Sequence, residues 1–160
     1  MRRSDKEITD RAVMEEILRE QEVGRLATSV ADVPYIVPVN FAYSAGHIVF
    51  HGARDGLKMR NIAANSLVCF EVDNYEKKEA ESPCDYTYKY MSVVARGKAT
   101  PVEDPTRRLA LFRRLVDKYA PGKGKMITEE TMAKNINIEI IDIEVDEMTG
   151  KRSPAPPKQT

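Results

Sequence analysis

At 160 residues the chain suits one domain, and a chain of that size buries roughly 70% of the surface its unfolded form exposes, so it needs no disulfide staple. Its 25 Lys+Arg balance its 25 Asp+Glu, which argues against nucleic acid or a membrane surface as the main partner. No apolar run approaches the ~20 residues that cross a bilayer, and Met1-Arg2-Arg3-Ser4-Asp5 lacks the apolar stretch of a signal peptide. Cys69 and Cys84 form no CxxC pair, and Cys69 lies in an apolar run that reads as core. The expected location is a reducing cytoplasm, with both thiols free.

Residues 10–20 read as a helix: Val13, Met14, Ile17 and Leu18 recur at helical spacing, and Thr9 or Asp10 is placed to cap it. After Gly24 the pattern turns to β. Residues 23–30, 34–43, 47–52 and 67–73 are rich in Val, Ile, Phe, Tyr and Thr, with Ser44-Ala45-Gly46-His47 as a hairpin turn. Residues 56–64 interrupt them as a helix with Asp55 at its N-cap. A charged, irregular stretch is expected at 74–85, then a strand over 86–100. Asp104-Pro105 starts a helix that runs to about Ala120, with Leu109, Phe112, Leu115, Val116 and Tyr119 as its apolar stripe. A short helix fits 128–134. In the last strand Ile136, Ile138 and Ile140 alternate, then Ile141, Ile143 and Val145 in the opposite phase, which suggests a bulge or barrel corner. Lys151 to Thr160 reads as a Pro-rich tail. Six or so strands with inserted helices predict a mainly β fold, an antiparallel barrel closed or nearly so.

Several chemistries are missing from the sequence. There is no GxGxxG, HExxH, GxSxG or paired CxxC, and Gly122-Lys123-Gly124-Lys125 fails as a phosphate loop because Tyr119 and Met126 stand where Gly and Ser/Thr are needed. Two histidines and two separated cysteines do not make a zinc site. Arg107, Arg108, Arg113, Arg114, Lys118, Lys123 and Lys125 cluster on and after one helix, and read as a solvated face.

The informative stretch is His51-Gly52-Ala53-Arg54-Asp55-Gly56-Leu57-Lys58, between a strand and a helix. Glycines allow close backbone approach, and a helix N-terminus offers unpaired N–H groups to an anion. Lys58 in the first turn is a cation at the wrong end of a helix dipole. A bound phosphate would resolve that conflict; an ordinary turn with an exposed lysine is the other reading, and the residues alone leave both open.

The run Val23-Gly24-Arg25-Leu26-Ala27-Thr28, then Pro34-Tyr35-Ile36-Val37-Pro38-Val39-Asn40-Phe41, then Phe50-His51-Gly52-Ala53 and Gly56-x-Lys58-x-x-x-Ile62, resembles the nitroimidazole-resistance family of pyridoxamine-phosphate-oxidase-like flavoproteins. The likeness continues through Val68-Cys69-Phe70-Glu71-Val72, Val93 to Ala99, and Thr149-Gly150-Lys151-Arg152. It implies an FMN-binding split β-barrel over residues 1–150, a tail over 151–160, and a homodimer with the flavin between subunits. Lys58 matches the phosphate-binding lysine. Val39, Asn40, Phe41, His51 and Gly52 match segments beside the flavin ring, and His51 is the candidate catalytic proton donor. The implied activity is reduction of a small acceptor such as a nitroaromatic, with a small-molecule electron donor. Leu57 stands where true pyridoxamine phosphate oxidases pair an arginine with the lysine, and their C-terminal Arg-x-His is missing, so vitamin oxidation is not expected. Two alternatives stay open: an FMN carrier or electron-transfer module without turnover, and a haem-binding barrel with His47 or His51 as axial ligand.

Overall fold

The computed structural model describes residues 3–78, 87–134 and 137–154. A 3-10 turn, Ser4–Lys6, leads into β1 (Glu7–Ile8) and α1 (Arg11–Glu20). Then come β2 (Val23–Val30), β3 (Val33–Ser44), β4 (His47–Ala53), α2 (Leu57–Ala64), β5 (Leu67–Lys78) and β6 (Thr87–Pro101). The chain continues through α3 (Pro105–Tyr119), a second 3-10 turn (Gly124–Met126), α4 (Glu129–Lys134) and β7 (Ile138–Arg152). The strands run β1-β7-β4-β3-β2-β5-β6, and β7 also pairs with β6, so the ring closes. Each pairing is antiparallel. This is the expected split barrel.

Local chemistry explains the joints. The Asp10 carboxylate accepts from the Ala12 N–H at 2.8 Å and starts α1, whose Met14, Ile17 and Leu18 face the core. Two-residue turns at Ala31-Asp32 and Ala45-Gly46 have positive φ throughout, the twist that hairpins favour. Phe41, Phe50 and Phe70 are fully buried inside the barrel with Leu18, Leu26, Ile48, Ile141 and Ile143. Full burial of each such side chain contributes about 1.5–3 kcal/mol. Asp104 accepts from the Arg107 N–H at 2.7 Å and Pro105 opens α3.

The last strand corrects one expectation. Its change of hydrophobic phase at Ile140/Ile141 marks no bulge: β7 is buried on both faces there. Ile141 and Ile143 enter the barrel core, while Ile140 joins Val49 and Val102 in a second cluster on the outer face, packed by Leu111, Phe112 and Met132. The register shift lies farther on, where Arg96 opposes Glu147 but Gly97 opposes Val145. A β-carbon on Gly97 would stand 2.0 Å from the Glu144 carbonyl oxygen, so only glycine fits the irregularity.

Other boundaries also move. β5 runs to Lys78, into the stretch expected to be irregular, because β6 pairs with it along that whole length; residues 79–86, with Cys84, lie outside the described residues, as does Ile136. β7 runs through Lys151 and Arg152, paired to Ser92 and Met91, where a tail was expected; residues 155–160 are also outside. Cys69 is a free thiol, half-buried opposite Ala27 and Arg96 rather than in the core, and burial pushes its pKa up. The basic side chains of α3 are not simply a solvated face. Arg107 pairs with the buried Asp142, Arg108 with Glu139 and the carbonyls of Val102 and Ile138, and Arg113 with the Ile127 carbonyl. Arg107 and Arg108 fasten the helix to β7 of the barrel, and Arg113 ties it to the segment that follows the helix. Among the described residues no helix is long and apolar enough to cross a membrane.

Candidate functional site

At the end of β4 the chain turns through Arg54, Asp55 and Gly56 into α2. Gly56 is the N-cap with φ 139°, and no side chain caps the helix; the expected Asp55 cap does not form. A glycine takes this backbone conformation where other residues are strained. The first turn of α2 is thereby left open to a ligand, with Lys58 in it. The Lys58 side chain folds back over Gly52: a β-carbon at position 52 would stand 2.7 Å from Lys58 Cε and 3.1 Å from Nζ. Gly52 therefore makes room for the ammonium. No carboxylate among the described residues forms an ion pair with Lys58.

Alternation along β4 sends His51 and Gly52 to opposite faces. Phe50 points into the core, and His51 points outward, toward α3, with its ring edge-on to Phe112 at 5.5 Å and 79°. The His51 surface is open to solvent, yet the protein packed around it pushes its pKa below the ordinary imidazole value, and the Lys58 charge pushes the same way. Near neutral pH the ring is mostly neutral, a hydrogen-bonding group more than a charged acid.

On β3 the pleat separates the three matched residues. Val39 and Phe41 are buried in the core, so they offer a ligand only backbone; Asn40 is exposed on the outer face. Phe41 opposes Phe50, and one step further along the same register Asn40 stands across from His51. Tyr119, at the end of α3, reaches this strand. Its hydroxyl accepts from the Phe41 N–H at 2.8 Å and lies 2.9 Å from the Phe41 carbonyl and 2.5 Å from the Glu22 carbonyl. Its one proton serves one of these two carbonyls at a time. The Asn40 side chain approaches the same oxygen. Beside it the Lys118 ammonium sits 3.9 Å over the Phe41 ring and donates to the Gln21 carbonyl; desolvation lowers its pKa to about 8.

The sequence thus marks a cationic corner, Lys58 over Gly52, and an outward pair, Asn40 and His51. It does not mark Phe112 and Tyr119 as their partners. The helical stripe containing both was legible; the strand face it lands on was not. The corner can hold an anion, and the outward pair can hydrogen-bond a polar ring edge. His47 lies apart, with Nδ1 3.0 Å from Asp142 Oδ1. A separate cleft of about 390 Å³ opens among Tyr75, Lys89, Tyr90, Met91 and Arg152, and includes none of the matched residues. Among the described residues no group of three or more His, Cys, Asp and Glu side chains is arranged to hold a metal.

Comparison with known proteins gives a consistent family. No curated protein matches the chain. Among solved structures, the chain is similar to a candidate 5-nitroimidazole antibiotic resistance protein from Bacteroides thetaiotaomicron at TM-score 0.78 and 22% identity, over 91% of this chain and 86% of that one. It is similar to a flavocytochrome from Azotobacter vinelandii at TM-score 0.84 and 18% identity, over 100% and 75%. It is also similar to an FAD- and haem-binding protein from Mycobacterium smegmatis at TM-score 0.83 and 18% identity, over 97% and 77%. At these identities the likeness is one of fold. The family model described as pyridoxamine 5'-phosphate oxidase matches residues 10–152, nearly the whole closed barrel with its cationic corner, and the chain belongs to that family.

Proposed function

We propose that this protein binds FMN at the β4–α2 corner and uses it as a cytoplasmic oxidoreductase, reducing a small acceptor such as a nitroaromatic at the expense of a small-molecule donor. The observation that carries the reading is the Lys58 ammonium folded over Gly52 in an uncapped helix turn, with no carboxylate among the described residues paired to it. Those features fit a dianionic phosphate, which accepts from the ammonium and from backbone N–H groups together. The named flavin-binding neighbours support a flavin as the group that brings the phosphate.

Once bound, the flavin supplies the redox chemistry. Lys58 holds the phosphate, and Gly52 leaves the space for Lys58. Asn40 and His51 offer an amide and an imidazole toward the solvent side of β3 and β4. Desolvation is the larger cause of the lowered His51 pKa and the Lys58 charge the smaller; a phosphate on Lys58 offsets the second, moving the imidazole toward protonation and toward a proton-donor role in acceptor reduction. A homodimer is part of the proposal: Val23, Ile36 and Leu67 expose apolar side chains on neighbouring strands, a surface that a second copy would cover.

The deciding experiment is titration of FMN and riboflavin into wild type and Lys58→Ala. Loss of a charge-assisted contact weakens FMN roughly 10- to 100-fold and leaves riboflavin unchanged. A wild-type chain that binds neither ligand refutes the reading. Haem with His47 or His51 as axial ligand is a second reading, favoured by the Asp142 contact that fixes His47 Nδ1 and leaves Nε2 for a metal. A Soret band in the purified protein would select it.

A further inference from the structure

We infer that Tyr119 is a positioning residue for the flavin ring, acting through Asn40 and the Phe41 backbone. The inference rests on the flavin reading and adds to it a helix that the matched motifs do not contain. Its basis is a set of contacts at one atom. β2 begins at Val23, whose register partner is Asn40, so among the described residues no strand pairs with the β2-side edge of Phe41. The Tyr119 hydroxyl takes that place: it accepts from the Phe41 N–H and reaches the carbonyls of Phe41 and Glu22. Asn40 approaches the same oxygen from its side chain. One hydroxyl thereby fixes the Phe41 peptide groups, one of which joins Phe41 to Asn40, and so sets the strand from which the Asn40 amide projects.

The rest of α3 makes this grip rigid. Phe112 and Tyr119 are seven residues apart, close to two full turns, and so lie on one face of the helix. Phe112 meets His51 while Tyr119 meets Asn40. At the other end of the helix, Arg107 and Arg108 are tied to Asp142 and Glu139. The two outward residues of the candidate site are therefore aligned by a single helix that is anchored at both ends.

The test is a double-mutant cycle with Tyr119→Phe and Asn40→Ala, read by titration of both FMN and riboflavin and by the flavin absorption maximum. Tyr119→Phe keeps the ring and removes the hydroxyl. It should weaken FMN and riboflavin alike, roughly three- to tenfold, and move the absorption maximum. In the Asn40→Ala background the same substitution should have less effect, because the two act through one contact. Additive losses, or unchanged affinity and spectrum in Tyr119→Phe, overturn the positioning role while leaving flavin binding intact. A wild-type chain that binds no flavin overturns both. If Tyr119→Phe does not fold, the Phe41 amide resonance of the wild type takes its place. It should shift when flavin is added, and a stationary resonance overturns the inference.

Discussion

Gly52→Ala perturbs the candidate phosphate site without removing a charge. The new β-carbon would stand 2.7 Å from Lys58 Cε, 3.0 Å from Met59 Cε and 3.1 Å from Lys58 Nζ, against 3.4–4 Å for ordinary contact. The colliding atoms are the ends of flexible side chains, so the fold can absorb the change by swinging Lys58 and Met59 aside. Within a strand, alanine is itself better than glycine by roughly 0.5–1 kcal/mol, and the melting temperature should stay near the wild-type value. Reaching ordinary contact, however, moves Lys58 Cε by about 0.7 Å or more and the ammonium by about 0.3 Å or more, which lengthens and misaligns an N–H···O contact and so weakens it. The charge remains nearby, so the expected loss of FMN affinity is roughly three- to thirtyfold, smaller than for Lys58→Ala. Isothermal titration with FMN and riboflavin reads this, with thermal unfolding as the control. Riboflavin should bind as before. Equal weakening of both ligands would mean that position 52 touches the ring instead, and unchanged FMN affinity would mean that Lys58 does not hold the phosphate.

Two further outcomes follow from charge. Lys58→Met removes the positive neighbour that helps depress His51, so the His51 pKa should rise toward its ordinary value; an NMR titration of the imidazole that shows no rise, or a fall, contradicts the proximity of the two groups. Lys118 has its pKa lowered from 10.5 to about 8 in the folded chain. Between those values the unfolded chain binds a proton that the folded chain has released, so stability relative to Lys118→Met should increase as pH rises through that window. A difference in melting temperature that is flat over the same window would show that Lys118 is not desolvated over Phe41.

The elements most legible in the sequence are those fixed by local chemistry. Asp10 and Asp104-Pro105 mark helix starts by capping, and both cap as expected. The Ala45-Gly46 turn follows from the demand for positive φ. What failed to read out depends on partners remote in sequence. Residues 74–78 carry charges and look irregular, yet β6 supplies a ladder that holds them as strand. The phase change at Ile140/Ile141 imitates a bulge because α3 covers the outer face and creates a second core. Arg107 and Arg108 look solvated until β7 brings Asp142 and Glu139 beneath them.

The same division runs through the candidate site. The corner of Gly52, Gly56 and Lys58 is local, built within seven residues, and glycine at two of its positions carries the signal. The outward pair is not local. Adjacent residues on a strand point to opposite faces, so His51 belongs with Asn40 and α3, whereas the open side of Gly52 belongs with Lys58. A single ligand touching both meets the strand's end, where side chain, backbone and helix turn are all within reach. The motif places these residues in order along the chain, and α3, which the motif does not contain, determines how half of them face.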